Sequence, residues 1–478
     1  MLLVKDEYEE VQTFVMVDAH THIKVEGLKG LLPTEFVSRY HRTIKELVKE
    51  MQKKKEDFRY SFPWKLQSSP PDFYDFCQRD LYSLVHGEDL EKNITKYLGF
   101  DFFITFPSDT GDALPRDYRR VNESVRQALT EKSPSRKPHN NLRFFGFGRV
   151  DPKHSDALDT VDSGAQMGMN GFKLHPKSEN FKINSKNVKN VLKRLAEHDI
   201  PAIFHTQEEM GQQLHKAVAS TIEELVQEDK LDLIPRVKVI IGHAPWNGSD
   251  NPKLFDALSH PNMFGELSTL KAESYDTFFS NARNIDYGMM FEAPGLESLS
   301  RKEVEEMYFL SFGYSKHNYW SSKIAFGTDN PYPPAHGMKP LLRYLLGWDF
   351  PGNYSDLSNI FGITALKLMP HNESMGRETG GKVSSATQFH EIAMEEIEEK
   401  STRILGIDLV IESFPVARVN GIVISYLVNG RKESVFFNSL FSPDMPKNLI
   451  RGNMFRFSRT RLYPGGEGIL EEIENNIS

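Results

Sequence analysis

The sequence holds a single cysteine, Cys77, in 478 residues, so no disulfide can close within the chain. A lone thiol fits a reducing compartment. Long apolar runs are also missing, and none approaches the roughly 20 residues that span a bilayer. The opening MLLVKDEYEE turns acidic after four residues and lacks the apolar stretch of a secretory leader. A cytoplasmic protein without a membrane partner is the expectation. Nor is there a dominant charge. Lys and Arg number 58 against 66 Asp and Glu, a formal net charge of −8, which gives no field to attract nucleic acid. Hydrophobic residues reach 39%, too many for general disorder, and the length exceeds one compact core.

What is present is an alternation of short apolar strands with amphipathic helices, the pattern of a parallel sheet with crossover helices. Strands are expected at 14–19, 100–106, 143–149, 171–175, 202–205, 237–242, 264–268 and 324–327. Between them, Val188, Val191, Leu192 and Leu195 keep a 3.6-residue stripe, as do Leu214, Val218, Ile222 and Leu225. Eight parallel strands close naturally into a barrel, so the fold class expected is α/β, a (β/α)8 TIM barrel over 1–370. A long insertion, 24–98, separates the first two strands. It carries a charged helix at 45–59 and falls on the barrel's C-terminal side, where it reads as a lid. A polar, Gly- and Ser-containing stretch, 371–388, reads as a linker. Beyond it, 389–478 is expected to be a small C-terminal α+β domain of unknown role. Its helix would span 389–404, and Asn-Gly pairs at 420–421 and 429–430 signal hairpins. The basic run at 447–461 reads as a strand with one buried face rather than a grip for nucleic acid.

Chemistry concentrates at the strand ends. His20 and His22 are two residues apart, so on a strand both face the same side, and at the barrel mouth both can reach one cation. His175 ends the fourth strand after Lys173, His205 ends the fifth, His243 the sixth and Asp329 the eighth. Each alone is as well explained by an ordinary hydrogen-bonded strand end. Together they put many polar groups in one layer, where burial costs several kcal/mol each unless something satisfies them, and a cation does so jointly. Trp246, Glu266 and Tyr332 sit on the surrounding strand ends and loops as candidates for substrate contact.

The ordered motifs DAHTHI, KLHP, FHT, GHAP and FGTDNPY resemble the amidohydrolase superfamily, and within it the amidohydrolase 2 family of metal-dependent hydrolases and decarboxylases. The resemblance runs from about residue 14 to 370 and omits the insertion and the tail. It implies His20, His22, His205 and Asp329 as metal ligands, with Asp329 also moving the proton. It implies His243 as the residue that polarises the substrate carbonyl, or as a ligand of a second metal alongside a carboxylated Lys173. A single divalent metal is expected, zinc first, with Mn, Fe or Co open. The activity implied is hydrolysis of an amide, lactone or ester in a small molecule. Nonoxidative decarboxylation of a small carboxylic acid, or binding without catalysis, stands as the alternative. Association into a homo-oligomer is left open.

Overall fold

The computed structural model describes residues 2–5, 11–14, most of 16–50, 102–108, 118–130, most of 144–369, and the strands between 410 and 438. Eight strands form one parallel sheet in sequence order: β1 (Val17–Ile23), β2 (Phe102–Pro107), β3 (Phe144–Arg149), β4 (Gly171–Leu174), β5 (Ala202–His205), β6 (Val239–Gly242), β7 (Met263–Glu266) and β8 (Ile324–Ala325). The sheet closes on itself. Ala19 N–H donates to the Phe326 carbonyl (2.8 Å), Asp329 N–H to that of His20 (2.8 Å) and His22 N–H to that of Asn330 (2.7 Å). All eight expected strands are present. β1 differs most, because it continues to Ile23 and carries both histidines inside the ladder, with a register shift between Asp18 and Thr21.

Helices cross between the strands: α1 (Tyr118–Thr130), α2 (Ala157–Gln166), α3 (Lys186–Glu197), α4 (Met210–Gln227), α5 (Pro252–Ser259), α6 (Tyr275–Ala282), α7 (Arg301–Phe312) and α8 (Met338–Leu345). The apolar stripes of α3 and α4 are buried as their spacing requires. Ser185 starts α3 by accepting the Val188 N–H on its hydroxyl (3.4 Å). Two glycines admit aromatic rings around β4. Phe172 presses against Gly164 of α2, and Phe147 of β3 lies over Gly171 on the face that also carries Lys173.

Of the insertion, the described residues between 35 and 50 include helical turns, and Tyr40 is buried. Residues 51–98, the linker at 371–388, the helix at 389–404 and the run at 447–461 lie outside the described residues. A second unit of the chain contains a two-stranded sheet, Leu2–Lys5 with Val11–Phe14, and an antiparallel sheet of β9 (Val410–Val416), β10 (Val419–Val428) and β11 (Arg431–Asn438). β10 and β11 pair antiparallel up to Val428 opposite Arg431, and the hairpin turn expected at 429–430 lies outside the described residues. Asn420-Gly421 does not turn. It lies inside β10 opposite Pro415 and Phe414, because Val416 and Val419 carry the ladder beyond it.

A methyl at Gly171 would stand 2.5–2.7 Å from Phe147 ring atoms. Gly171→Ala is therefore expected to lower stability by about 1–3 kcal/mol, read from the urea midpoint. An unchanged midpoint would contradict this packing.

Candidate metal centre

The strand ends deliver their side chains to one place. His20 and His22, on the same face of β1, hold their rings 5.5 Å apart, and His243 lies 4.4 Å from His20. His243 and Asp329, just past β6 and β8, adopt left-handed backbone with φ of 57° and 61°. That conformation costs about 1–3 kcal/mol for a residue with a side chain and concentrates at functional sites, with Asp among the more tolerant types. Asp329 Oδ1 is 2.9 Å from His22 Nε2 and 3.4 Å from His20 Nε2. Lys173, buried at the end of β4, puts Nζ 3.5 Å from the same His20 nitrogen and 4.6 Å above the Phe106 ring.

One ligand atom each from His20, His243 and Asp329 lies within 4.8 Å of the others. Two donors held about 2.0–2.2 Å from one cation at a tetrahedral angle stand roughly 3.4 Å apart, the spacing of His20 Nε2 and Asp329 Oδ1, and His243 makes up the candidate group with them. Two imidazoles and a carboxylate suit Zn, Mn, Fe or Co.

Behind the cluster, Glu266 has 0% exposure. It was expected to line the pocket, but protein groups occupy its carboxylate. Oε1 accepts His20 Nδ1 (2.8 Å), the Ser268 hydroxyl (2.7 Å) and the His243 backbone N–H, while Oε2 accepts the Ser268 N–H (2.7 Å). These bonds set tautomers. His20 must carry its proton on Nδ1. The Ser268 hydroxyl points at Glu266, so it accepts from His243 Nδ1 (2.8 Å), and His243 also carries its proton there. Both rings turn a bare Nε2 lone pair away from Glu266, the form a metal requires. His243 therefore cannot act as a hydrogen-bond donor through Nε2 while neutral.

Burial keeps the rings neutral. It pushes His20 and His243 well below the usual imidazole value, with the Lys173 charge adding for both and the His20 ring for His243. Burial lowers His22 as well, and burial with the Lys173 charge lowers His205 to about 2.

His205 stands beside the triad. It stacks face to face on His175 (3.8 Å, 13°) and meets His243 edge-on (4.8 Å). His175 caps the short helix Pro176–Glu179 by accepting the Ser178 N–H on Nδ1 (3.2 Å). Trp246, 43% exposed, tilts over His243 at 4.5 Å, and Tyr332 stands edge-on to His22 at 4.9 Å.

Two supports were not apparent from sequence. Asp18 has 0% exposure and joins β1 to the loop after β8. Its oxygens accept the Tyr40 hydroxyl (2.5 Å), the Thr328 hydroxyl (2.5 Å), the Thr328 N–H (3.0 Å) and the His20 N–H (3.1 Å). Burial still pushes its carboxyl up to about 7. Arg149 of β3 pairs with Glu179 at 2.5 Å, both buried, and Glu179 Oε2 accepts the His175 N–H (3.0 Å). The one available signal for Arg149 was a cation ending an apolar strand.

The model of a protein family described as amidohydrolase matches residues 17–286, more than half of the chain. The chain belongs to this family. The match to the amidohydrolases includes His20, His22, Lys173, His205 and His243, and it stops before Asp329, which barrel closure brings to the others. Among solved structures, the chain is similar to 5-carboxyvanillate decarboxylase from Sphingomonas paucimobilis, with 10% identity over 74% of this chain and 99% of that one, TM-score 0.36. It is similar to 2,6-dihydroxybenzoate decarboxylase from Rhizobium, with 13% identity over 74% and 98%, TM-score 0.37. It is also similar to a probable 2-pyrone-4,6-dicarboxylic acid hydrolase from Acinetobacter baumannii, with 10% identity over 74% and 98%, TM-score 0.35. No curated protein matches. No helix among the described residues is long and apolar enough to cross a membrane.

The neutral histidines give the metal-free amidohydrolase a pH signature. Unfolded histidines take up protons near pH 6.5, whereas His20, His205 and His243 stay neutral and His22 is protonated only at lower pH, so below 6.5 the unfolded state binds more protons and stability falls with pH. Each contributes about 1.4 kcal/mol per pH unit. Asp18 and Glu179, whose folded carboxyls hold protons longer than unfolded ones, act in the opposite direction but are fewer. The melting temperature of metal-free protein should drop between pH 6.5 and 5. A flat or rising profile would contradict neutral burial.

Proposed function

We propose that this amidohydrolase is a metal-dependent hydrolase that cleaves an amide, lactone or ester bond in a small molecule. The observation that carries the reading is the convergence of two bare Nε2 atoms, from His20 and His243, and the Asp329 carboxylate at the C-terminal end of the barrel. In this reading His20, His22, His205 and Asp329 hold one divalent cation, zinc first among Zn, Mn, Fe and Co, and His243, expected to polarise the substrate carbonyl or to serve a second metal, joins the same ion because its ligand atom groups with those of His20 and Asp329. When bound, the cation supplies Lewis acidity, polarising a carbonyl oxygen and acidifying water.

The residues of the chain carry the proton. Asp329 accepts it from the attacking water and returns it to the leaving group. His22 Nε2 and Asp329 Oδ1 lie 2.9 Å apart, close enough to face the same cation. Trp246 and His175 wall the pocket, and the stacked His175 ring holds the plane of His205. Lys173 contributes positive charge beside His20; it could serve a second cation only after its amine lost a proton and took up CO2 as a carbamate, which removes that charge.

Asp329→Asn tests the proton role without breaking the turn, because Asn tolerates left-handed backbone as well as Asp does. Against a substrate found by screening esters, lactones, amides and small carboxylic acids, the variant should keep most of its metal. Its turnover should fall about 10²–10⁴-fold. Wild-type turnover would refute the assignment. In the same screen, a new carboxylate with an amine or alcohol marks hydrolysis, whereas released CO2 marks decarboxylation and replaces this reading.

A further inference from the structure

We infer that the Tyr332 hydroxyl positions the substrate, donating a hydrogen bond to one of its acceptor oxygens; the inference rests on the reading of this pocket as a substrate site. Tyr332 follows Asp329-Asn330-Pro331, and its N–H donates to the Asp329 carbonyl (3.0 Å). The phenol and the proton-carrying carboxylate thus belong to one tight turn. The Tyr332 ring meets His22 edge-on at 4.9 Å and 89°, which fixes its plane.

The hydroxyl at the end of that ring is buried and has no hydrogen-bond partner among the described residues. Nδ1 of His22, on the ring it packs against, is in the same condition. Leaving a buried hydroxyl unpaired is unfavourable, and folded proteins contain few such groups. The fully buried tyrosines of the barrel behave otherwise. Tyr40 donates to Asp18, Tyr308 to Asn262, Tyr314 to the Pro261 carbonyl and Tyr319 to the Ser259 carbonyl. Tyr275 shares the orphan state, but on α6, in a ring cluster with Tyr344. For folding alone, phenylalanine at 332 would serve as well. The hydroxyl has a use once an oxygen enters the pocket beside Asp329, where a phenol can donate without losing its proton.

Tyr332→Phe separates these roles, with acetate as the oxygen-bearing probe, titrated into metal-free and zinc-loaded protein. The metal-free variant should melt at the wild-type temperature or above, because no bond is lost. Zinc content should be unchanged, and acetate should bind about tenfold more weakly than to wild type. A lower melting temperature would reveal a structural partner for the hydroxyl and overturn the inference. Equal acetate affinity, or a wild type that takes up no acetate in either form, would overturn it too. Zinc absent from both proteins defeats the metal reading separately, and the melting comparison and the metal-free titration still decide the role of Tyr332.

Discussion

Between His20 and His243 the Glu266 carboxylate, shut off from solvent, accepts four protons from three residues. A buried carboxylate is costly unless each lone pair is used, and here the donors supply that compensation. The consequence reaches the pocket. With Nδ1 of both rings committed, both Nε2 lone pairs are left for a cation, and the choice of tautomer is made by the fold before any ligand arrives. Gly327 is part of the same arrangement, since any side chain there would collide with Glu266 and crowd His20.

A second carboxylate completes the frame. Asp18 bonds to the strand that carries the histidines and to the loop that carries Asp329, so barrel closure and ligand convergence are the same event. Tyr40 and Asn330 extend that network, with Asn330 Nδ2 donating to the Tyr40 oxygen (2.9 Å) and to the Thr328 hydroxyl (2.8 Å). The left-handed turns at His243 and Asp329 are strained, and this dense hydrogen bonding is what holds them.

Much of this was legible in the sequence. Strands buried on both faces leave continuous apolar runs, and helix faces leave 3.6-residue stripes, so the barrel could be read from hydrophobicity alone. His20, His22, His205, His243 and Asp329 stood out because each follows such a run. Glu266 also ends one, and nothing local distinguishes a carboxylate facing the pocket from one turned behind a histidine. That difference depends on Ser268 and His243, which only the folded sheet brings to it. Tyr40 was hidden in a long insertion, and its partner Asp18 is distant along the chain. At Asn420-Gly421 a strong local turn signal lost to pairing along the strand, where Asn420 lies opposite Pro415 and Gly421 opposite Phe414.

In the proposed site Glu266 prepares two histidines, with Asp329, to hold one cation. The most direct test of this is a zinc titration of metal-free wild type and Glu266→Gln by competition with a chelator. About one equivalent is expected in both, bound roughly 10–100-fold more weakly by the variant, whose amide replaces one acceptor with a donor. No zinc uptake by the wild type, or equal affinity in the two proteins, would contradict it.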